Sequence, residues 1–339
     1  MAFISKRDLP FLGFAGATLG LRILPRSLRF RWVGTASKGL AALWYRLDRS
    51  DAALTRRNLQ NVLGSRLSTA EVEETARKIY RVVAFSKLVN DMLPSLPPKD
   101  LTQILRLEGE EHLQQALAQG RGAILLGTHF GLHGYIKLML FKHLGYDVIT
   151  AVKEEVEPDD SWVYRRIVHP IRSRPRRHFR VLTIDGTPQR AMVDCLRQNQ
   201  FMLIYGDALE RDMLELHAPE VLSVPLLDHL ILLKTGPFRL ARWLKSPILP
   251  LFVVPQRDGY TMMIDPPLSL ADDNSVEGLA ADLAAFTRRF EPHLLQHPAL
   301  WAHWRHEDLL ELMKPAREAV VEQSADLKQL MSDPITLAS

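Results

Sequence analysis

His129 and Asp207 are the two residues of this chain best placed to do acid–base chemistry. Each follows an apolar run of strand length: Gly122-Ala-Ile-Leu-Leu-Gly-Thr-His-Phe-Gly131 and Phe201-Met-Leu-Ile-Tyr-Gly-Asp207. Groups just beyond the carboxyl ends of buried strands are where α/β proteins hold ligands. A helical pattern, Leu132–Phe141, follows His129. A histidine at a helix start feels the positive end of the dipole, which favours the neutral imidazole that can take a proton near pH 7. The helix amides could also stabilise a developing oxyanion. Such a base is normally oriented by a carboxylate, and the position where one is sought holds Gly134. The plainer reading of His129 is a hydrogen-bonded structural residue. Asp207 could orient a histidine, contact an acceptor or cap a turn. His129 and His133 stand four apart, but no His-Glu-x-x-His pattern and no third ligand accompanies them, so no metal is expected.

A second candidate is a basic stretch. Arg165, Arg166, Arg172, Arg174, Arg176, Arg177 and Arg180, with His169 and His178, occupy a segment without Asp or Glu from Ser161 to Ile184. Clustered guanidinium groups repel one another unless an anion lies against them, and arginine grips phosphate bidentately. Arg165, Arg166 and Arg177 are therefore candidates to hold phosphates of a donor, an acceptor or a membrane; the alternative is a solvated loop. No helix-turn-helix, zinc or RNA-binding motif accompanies the run, so no nucleic acid is expected.

The whole chain has 339 residues, 47% hydrophobic and 24% charged, with a net charge of +4. That suits a globular protein with a sizeable core and a mild bias toward anionic partners. The single cysteine, Cys195, excludes an internal disulfide framework and suits a reducing compartment. The apolar run Leu9–Leu21, followed by Arg22, Arg26, Arg29 and Arg31, is too short to span a bilayer and lacks a leader-type cleavage site. It reads as an interfacial anchor on an anionic membrane or as a core helix.

These groups need a scaffold, and the periodicities supply one. Residues 1–110 read as a helical, membrane-facing region. There Ser68-Thr-Ala-Glu71 is a capping box ahead of apolar residues Ala76, Ile79, Val83 and Leu88 at helical spacing. Residues 111–312 read as an α/β domain. Strands are predicted at 123–126, 148–152, 180–184, 201–205, 248–254 and 261–264, with helices at 110–117, 131–143, 187–198 and 233–245. This alternation implies a mixed, largely parallel central sheet flanked by helices. Residues 313–339 read as a polar helix and tail.

Taken in order, the motifs resemble the lysophospholipid acyltransferase superfamily, and within it the bacterial lipid A late acyltransferases. The matching pieces are Arg56-Arg-Asn-Leu59, Gly122–Gly131, Phe201–Asp207, Gly236-Pro-Phe-Arg-Leu-Ala241 and His297-Pro-Ala-Leu-Trp-Ala-His-Trp304. The resemblance implies transfer of an acyl group from an acyl carrier protein or coenzyme A thioester to a hydroxyl or amine of a lipid or small-molecule acceptor. It implies no cofactor, and peripheral contact with the cytoplasmic side of the inner membrane or a cytoplasmic location. His129 matches the family's catalytic base, and Thr128, Gly131 and His133 fall in the substrate-binding loop around it. The family's motif is His, four residues, then Asp or Glu; Gly134 stands at that last position. Three readings follow. Asp207 or another group replaces the carboxylate; His133 assists His129; or the chain is a non-catalytic relative that binds lipid, acyl chain or carrier protein.

Overall fold

The computed structural model describes residues 8–153, 162–173, 175–184, 188–273 and 275–316. Five helices come first: α1 (Leu9–Ile23), α2 (Arg26–Leu47), α3 (Arg49–Leu63), α4 (Thr69–Met92) and α5 (Pro98–Ile104). The capping box opens α4 as its sequence requires, with the Glu71 amide donating to Ser68 Oγ at 3.4 Å and the Ser68 amide donating to Glu71 Oε2 at 2.8 Å. Val72, Ala76, Ile79, Val83 and Leu88 are all buried. Burying each larger aliphatic side chain is worth about 1.5–3 kcal/mol, so packing rather than intrinsic propensity fixes this helix.

The central sheet has seven strands: β1 (Leu105–Glu108), β2 (Ala123–Gly127), β3 (Val148–Lys153), β4 (Arg180–Ile184), β5 (Phe201–Tyr205), β8 (Ile248–Gln256) and β9 (Gly259–Ile264). Their order is β1-β9-β8-β2-β5-β3-β4. All neighbours run parallel except the β8–β9 hairpin. Every residue of β2 is buried, as expected of a strand covered on both faces. Its Ile124 and Leu126 join one hydrophobic cluster, and Ala123 and Leu125 the other. A second, antiparallel sheet has the order β10-β7-β6, made of β6 (Val221–Leu226), β7 (His229–Lys234) and β10 (Met313–Pro315). The remaining helices are α6 (Glu110–Ala118), α7 (Ile136–His143), α8 (His169–Arg172), α9 (Pro188–Arg197), α10 (Gly236–Leu244), α11 (Val276–Gln296) and α12 (Leu309–Leu312).

The mixed α/β class with a largely parallel sheet and N-terminal helices is therefore as the periodicities imply. Four of the expected segments differ in bounds or type. The expected helix over 131–143 begins only at Ile136, because Gly131 and Gly134 take positive φ values of 82° and 86°. The segment read as helical to residue 110 contains β1, which pairs in parallel with β9. The helix expected over 233–245 starts at Gly236, since Leu233 and Lys234 complete β7. Residues 313–315, expected to be helical, add β10 to β7. The rest of that expected tail, 317–339, lies outside the described residues, as do Ser161 and Arg174 of the basic stretch and the first residue of the helix expected at 187.

Candidate active site

β2 and β5 are neighbours, so Gly127 and Tyr205 lie side by side in register. Each strand ends in a turn, and the Gly206 amide donates to Gly127 O at 2.9 Å. His129 and Asp207 are therefore brought together two residues beyond paired strand ends. His129 Nδ1 lies 2.9 Å from Asp207 Oδ1. The His129 backbone amide also points at the same carboxylate, 2.9 Å from both oxygens.

A third segment completes the arrangement. The His129–Gly131 loop is stitched to residues 300–302: Gly131 N–H donates to Leu300 O at 3.0 Å and Ala302 N–H to His129 O at 2.9 Å. Phe130 and Trp301 form an antiparallel bridge. Gly131 is required here, because a Cβ would lie 2.3 Å from Val253 O. This stitching carries the Trp301 indole to the carboxylate, where Nε1 donates to Asp207 Oδ2 at 2.9 Å. His303 follows, with Nε2 3.7 Å from the same oxygen.

Asp207 is buried. Burial alone would raise its pKa, but the His129 charge and hydrogen bond, then His303 and the Trp301 indole, outweigh it. The carboxyl is held well below the usual carboxylate range. It is thus an acceptor only, so Nδ1 of His129 carries the proton and Nε2 is left with its lone pair. The His129 side chain is 35% exposed against 3% for Asp207, so the free nitrogen is the part that a substrate can reach. This is the tautomer of a general base with a carboxylate behind it. Tyr205 stacks on the imidazole with centroids 4.4 Å apart.

Burial pushes His303 down to about 3, with partial opposition from Asp207. It is therefore neutral at pH 7, and its Nε2 finds no hydrogen-bond partner among the described residues. His129, Asp207 and His303 have ligand-type atoms within 4.8 Å of one another, which is metal-like spacing that sequence spacing did not reveal. Both Asp207 oxygens, however, already face N–H donors from His129 and the Trp301 indole.

His133 does not replace the missing carboxylate. Its amide donates to Ser86 Oγ at 3.2 Å, and its ring has no hydrogen bond to His129. Burial, then the Lys137 ammonium, holds its imidazole down and neutral. Gly134 is filled from outside: a Cβ there would lie 1.9 Å from Asn90 Nδ2. The Asn90 side chain donates to His133 O at 2.7 Å and accepts from the Tyr135 amide at 2.8 Å. α7 starts seven residues after His129, so the helix start expected beside the imidazole does not adjoin it.

Thr128 is buried, with its hydroxyl unpartnered among the described residues. Arg165, Arg166 and Arg177 are exposed and make none of the contacts around Asp207. Arg165 and Arg166 lie in the turn Tyr164–Val168, which packs on α1. Four residues around the site escaped the reading of the sequence: Asn90, Lys137, Trp301 and His303. Lys137 is almost wholly buried, with its ammonium 4.6 Å from the Tyr205 ring centroid. A lysine inside the apolar run Ile136–Phe141 was its only signal. Trp301 and His303 lay in a motif whose chemistry no spacing could assign.

A seven-stranded, largely parallel α/β sheet thus carries a histidine–carboxylate pair just beyond two neighbouring central strands, where α/β enzymes hold their ligands. The comparison with known proteins narrows this. The chain belongs to the family of bacterial lipid A biosynthesis acyltransferases, which it matches over residues 5–310. It is also similar to a phosphatidylinositol mannoside acyltransferase of Mycolicibacterium smegmatis, 24% identical over 303 residues that cover 86% of this chain and 88% of that one. A phosphatidylinositol mannoside acyltransferase of Mycobacterium tuberculosis is 25% identical over 230 residues, covering 66% and 67% of the two chains. This chain is thus an acyltransferase, using an acyl donor and a lipid acceptor.

Proposed function

We propose that the chain moves an acyl group from an acyl carrier protein or coenzyme A thioester to a lipid hydroxyl, with His129 as general base. The observation that carries this is the 2.9 Å contact from His129 Nδ1 to buried Asp207, which leaves Nε2 free on the open side. Nε2 takes the acceptor's proton as its oxygen attacks the thioester carbonyl. The tetrahedral intermediate collapses, the C–S bond breaks, and the imidazolium returns the proton to the departing thiolate. Asp207 holds the tautomer and offsets the imidazolium charge. Asp207 thereby takes the part that Gly134 cannot play. Thr128 and Gly131 shape the loop that presents the imidazole.

The acceptor meets the enzyme at a membrane surface in this reading. Leu19 and Ile23 of α1 and Trp32 of α2 are exposed, and exposed Trp162 lies in the same segment as Arg165 and Arg166, next to α1. Apolar side chains bordered by arginines suit a peripheral contact with anionic lipid on the cytoplasmic side of the inner membrane. Among the described residues, no helix is long and apolar enough to cross a membrane.

The test is turnover of labelled acyl carrier protein and acyl-coenzyme A donors with lipid acceptors. His129→Ala should lower it by about 10²–10⁴-fold. Unchanged turnover in that variant would remove His129 from the reaction. Carrier-protein binding without turnover by the unaltered chain, across a panel of acceptors, would support the non-catalytic reading instead.

A further inference from the structure

A cavity of about 510 Å³ lies among α2, α3 and α4, outside the catalytic cluster. Five arginines line it: Arg46, Arg49, Arg56, Arg77 and Arg81, with Tyr45 beside them. Arg46 lies in the last turn of α2, Arg49 and Arg56 lie on α3, and Arg77 and Arg81 are one turn apart on α4.

The carboxylate that engages this wall is Glu73. It lies 2.8 Å from Arg77 and 3.5 Å from Arg56. Tyr45 donates to Glu73 at 2.9 Å and accepts from Arg56 at 2.8 Å, which fixes one side of the cavity. The other nearby acids are committed elsewhere. Asp48 caps α3, Asp51 takes Arg305 and Tyr80, and Glu74 pairs with Lys78. Arg46, Arg49 and Arg81 form no ion pair with any described residue. Five arginines thus line one half-open cavity with Glu73 as their directly paired carboxylate, a local excess of positive charge that favours an anion.

We propose that this cavity binds a phosphate-bearing group. Guanidinium forks from three helices match the several oxygens of a phosphate. The volume exceeds that of a bare phosphate and falls within the range of small-molecule sites. Ala41, Ala42 and Ala52 add an apolar wall for the organic part. That chemistry is shared by the nucleotide end of a thioester donor and by a phospholipid headgroup. The cavity lining shares no residue with the His129 site. On α3, Asn58 donates to Trp304 O at 3.1 Å and His306 O at 2.9 Å, so this helix links the cavity region to the segment bearing Trp301 and His303. The proposal does not depend on the role given to His129.

The experiment is titration calorimetry on the full chain and on a variant with Arg46→Gln, Arg49→Gln and Arg81→Gln. One arm uses adenosine 3′,5′-bisphosphate against adenosine; the other uses phosphatidylcholine vesicles with and without phosphatidylglycerol. Phosphate-dependent binding should weaken by about tenfold or more in the variant and fall with added salt. The responding arm identifies the source. If the triple variant does not fold, Arg46→Gln alone should still weaken binding measurably. Equal binding by wild type and variant, or no binding in either arm, overturns the proposal. So does a variant defect seen only with an acidic carrier protein, since that would make the cavity part of a protein-docking face.

Discussion

The two ends of one short loop are held in opposite ways. At its start, His129 is tied to the Asp207 carboxylate through its ring, and the loop is tied to residues 300–302 through backbone hydrogen bonds. At its end, residues 133–135 are tied to α4 by Ser86 and Asn90, which only fix the backbone. The usual family motif would place an acid at this second end. Here Asn90 occupies the space beside Gly134, and the carboxylate that meets His129 is Asp207, two residues beyond β5. With the proposed function, the loop has a chemical end and a scaffolding end, and substitutions at the two should behave differently.

The largest effects belong to the chemical end. His129→Ala should lower turnover by about 10²–10⁴-fold, the usual contribution of a positioned base. Asp207→Asn should lower it by a comparable factor, by analogy with catalytic triads. Steady-state rates on folded protein check both. Comparable turnover in Asp207→Asn would break the assignment of the chemical end.

At the scaffolding end, Gly134→Asp restores the family's residue type yet should not raise turnover. Positive φ and the overlap with Asn90 should instead cost about 2–4 kcal/mol of stability, read by urea unfolding. A stable, faster Gly134→Asp variant would overturn the division between the ends.

A smaller effect concerns pH. An imidazole whose folded pKa is depressed favours the unfolded state once pH drops below the unfolded value near 6.5. His303, at about 3, should therefore cost up to ~1.4 kcal/mol per pH unit as pH falls from 6.5 toward 3. His303→Gln should flatten that slope in unfolding measured from pH 7 to 4. Asp207 acts in the same direction at lower pH, since its stabilisation is lost only as pH falls below the ordinary carboxylate range. The smallest change is Asn90→Ala, which removes two hydrogen bonds from a partly exposed site. It should cost about 1–3 kcal/mol and leave the turnover of folded enzyme within a few-fold of wild type.

Much of the scaffold was legible because buried parallel strands announce themselves. β2, β3, β4, β5, β8 and β9 are short apolar runs, and each was placed to within two residues. β6, β7 and β10 were missed, since a half-buried antiparallel sheet blends polar and apolar residues. β1 was absorbed into a helical stretch because four residues carry too little periodicity. α11 was also missed, although its buried Leu279, Leu283, Phe286, Phe290 and Leu294 hold the side of the sheet under the site.

The sequence by itself determined which residue could serve as the base and that the usual partner was missing. Both follow from residue type at fixed local spacing: an imidazole after a buried strand, and a glycine where an acid is sought. Only the tertiary structure decided which carboxylate lies against that imidazole. Strand register sets Tyr205 beside Gly127, and that places Asp207 under His129 across 78 residues of chain. The same packing brings Trp301 to the carboxylate and Asn90 to Gly134. Such contacts arise from how distant elements stack, so local spacing does not encode them.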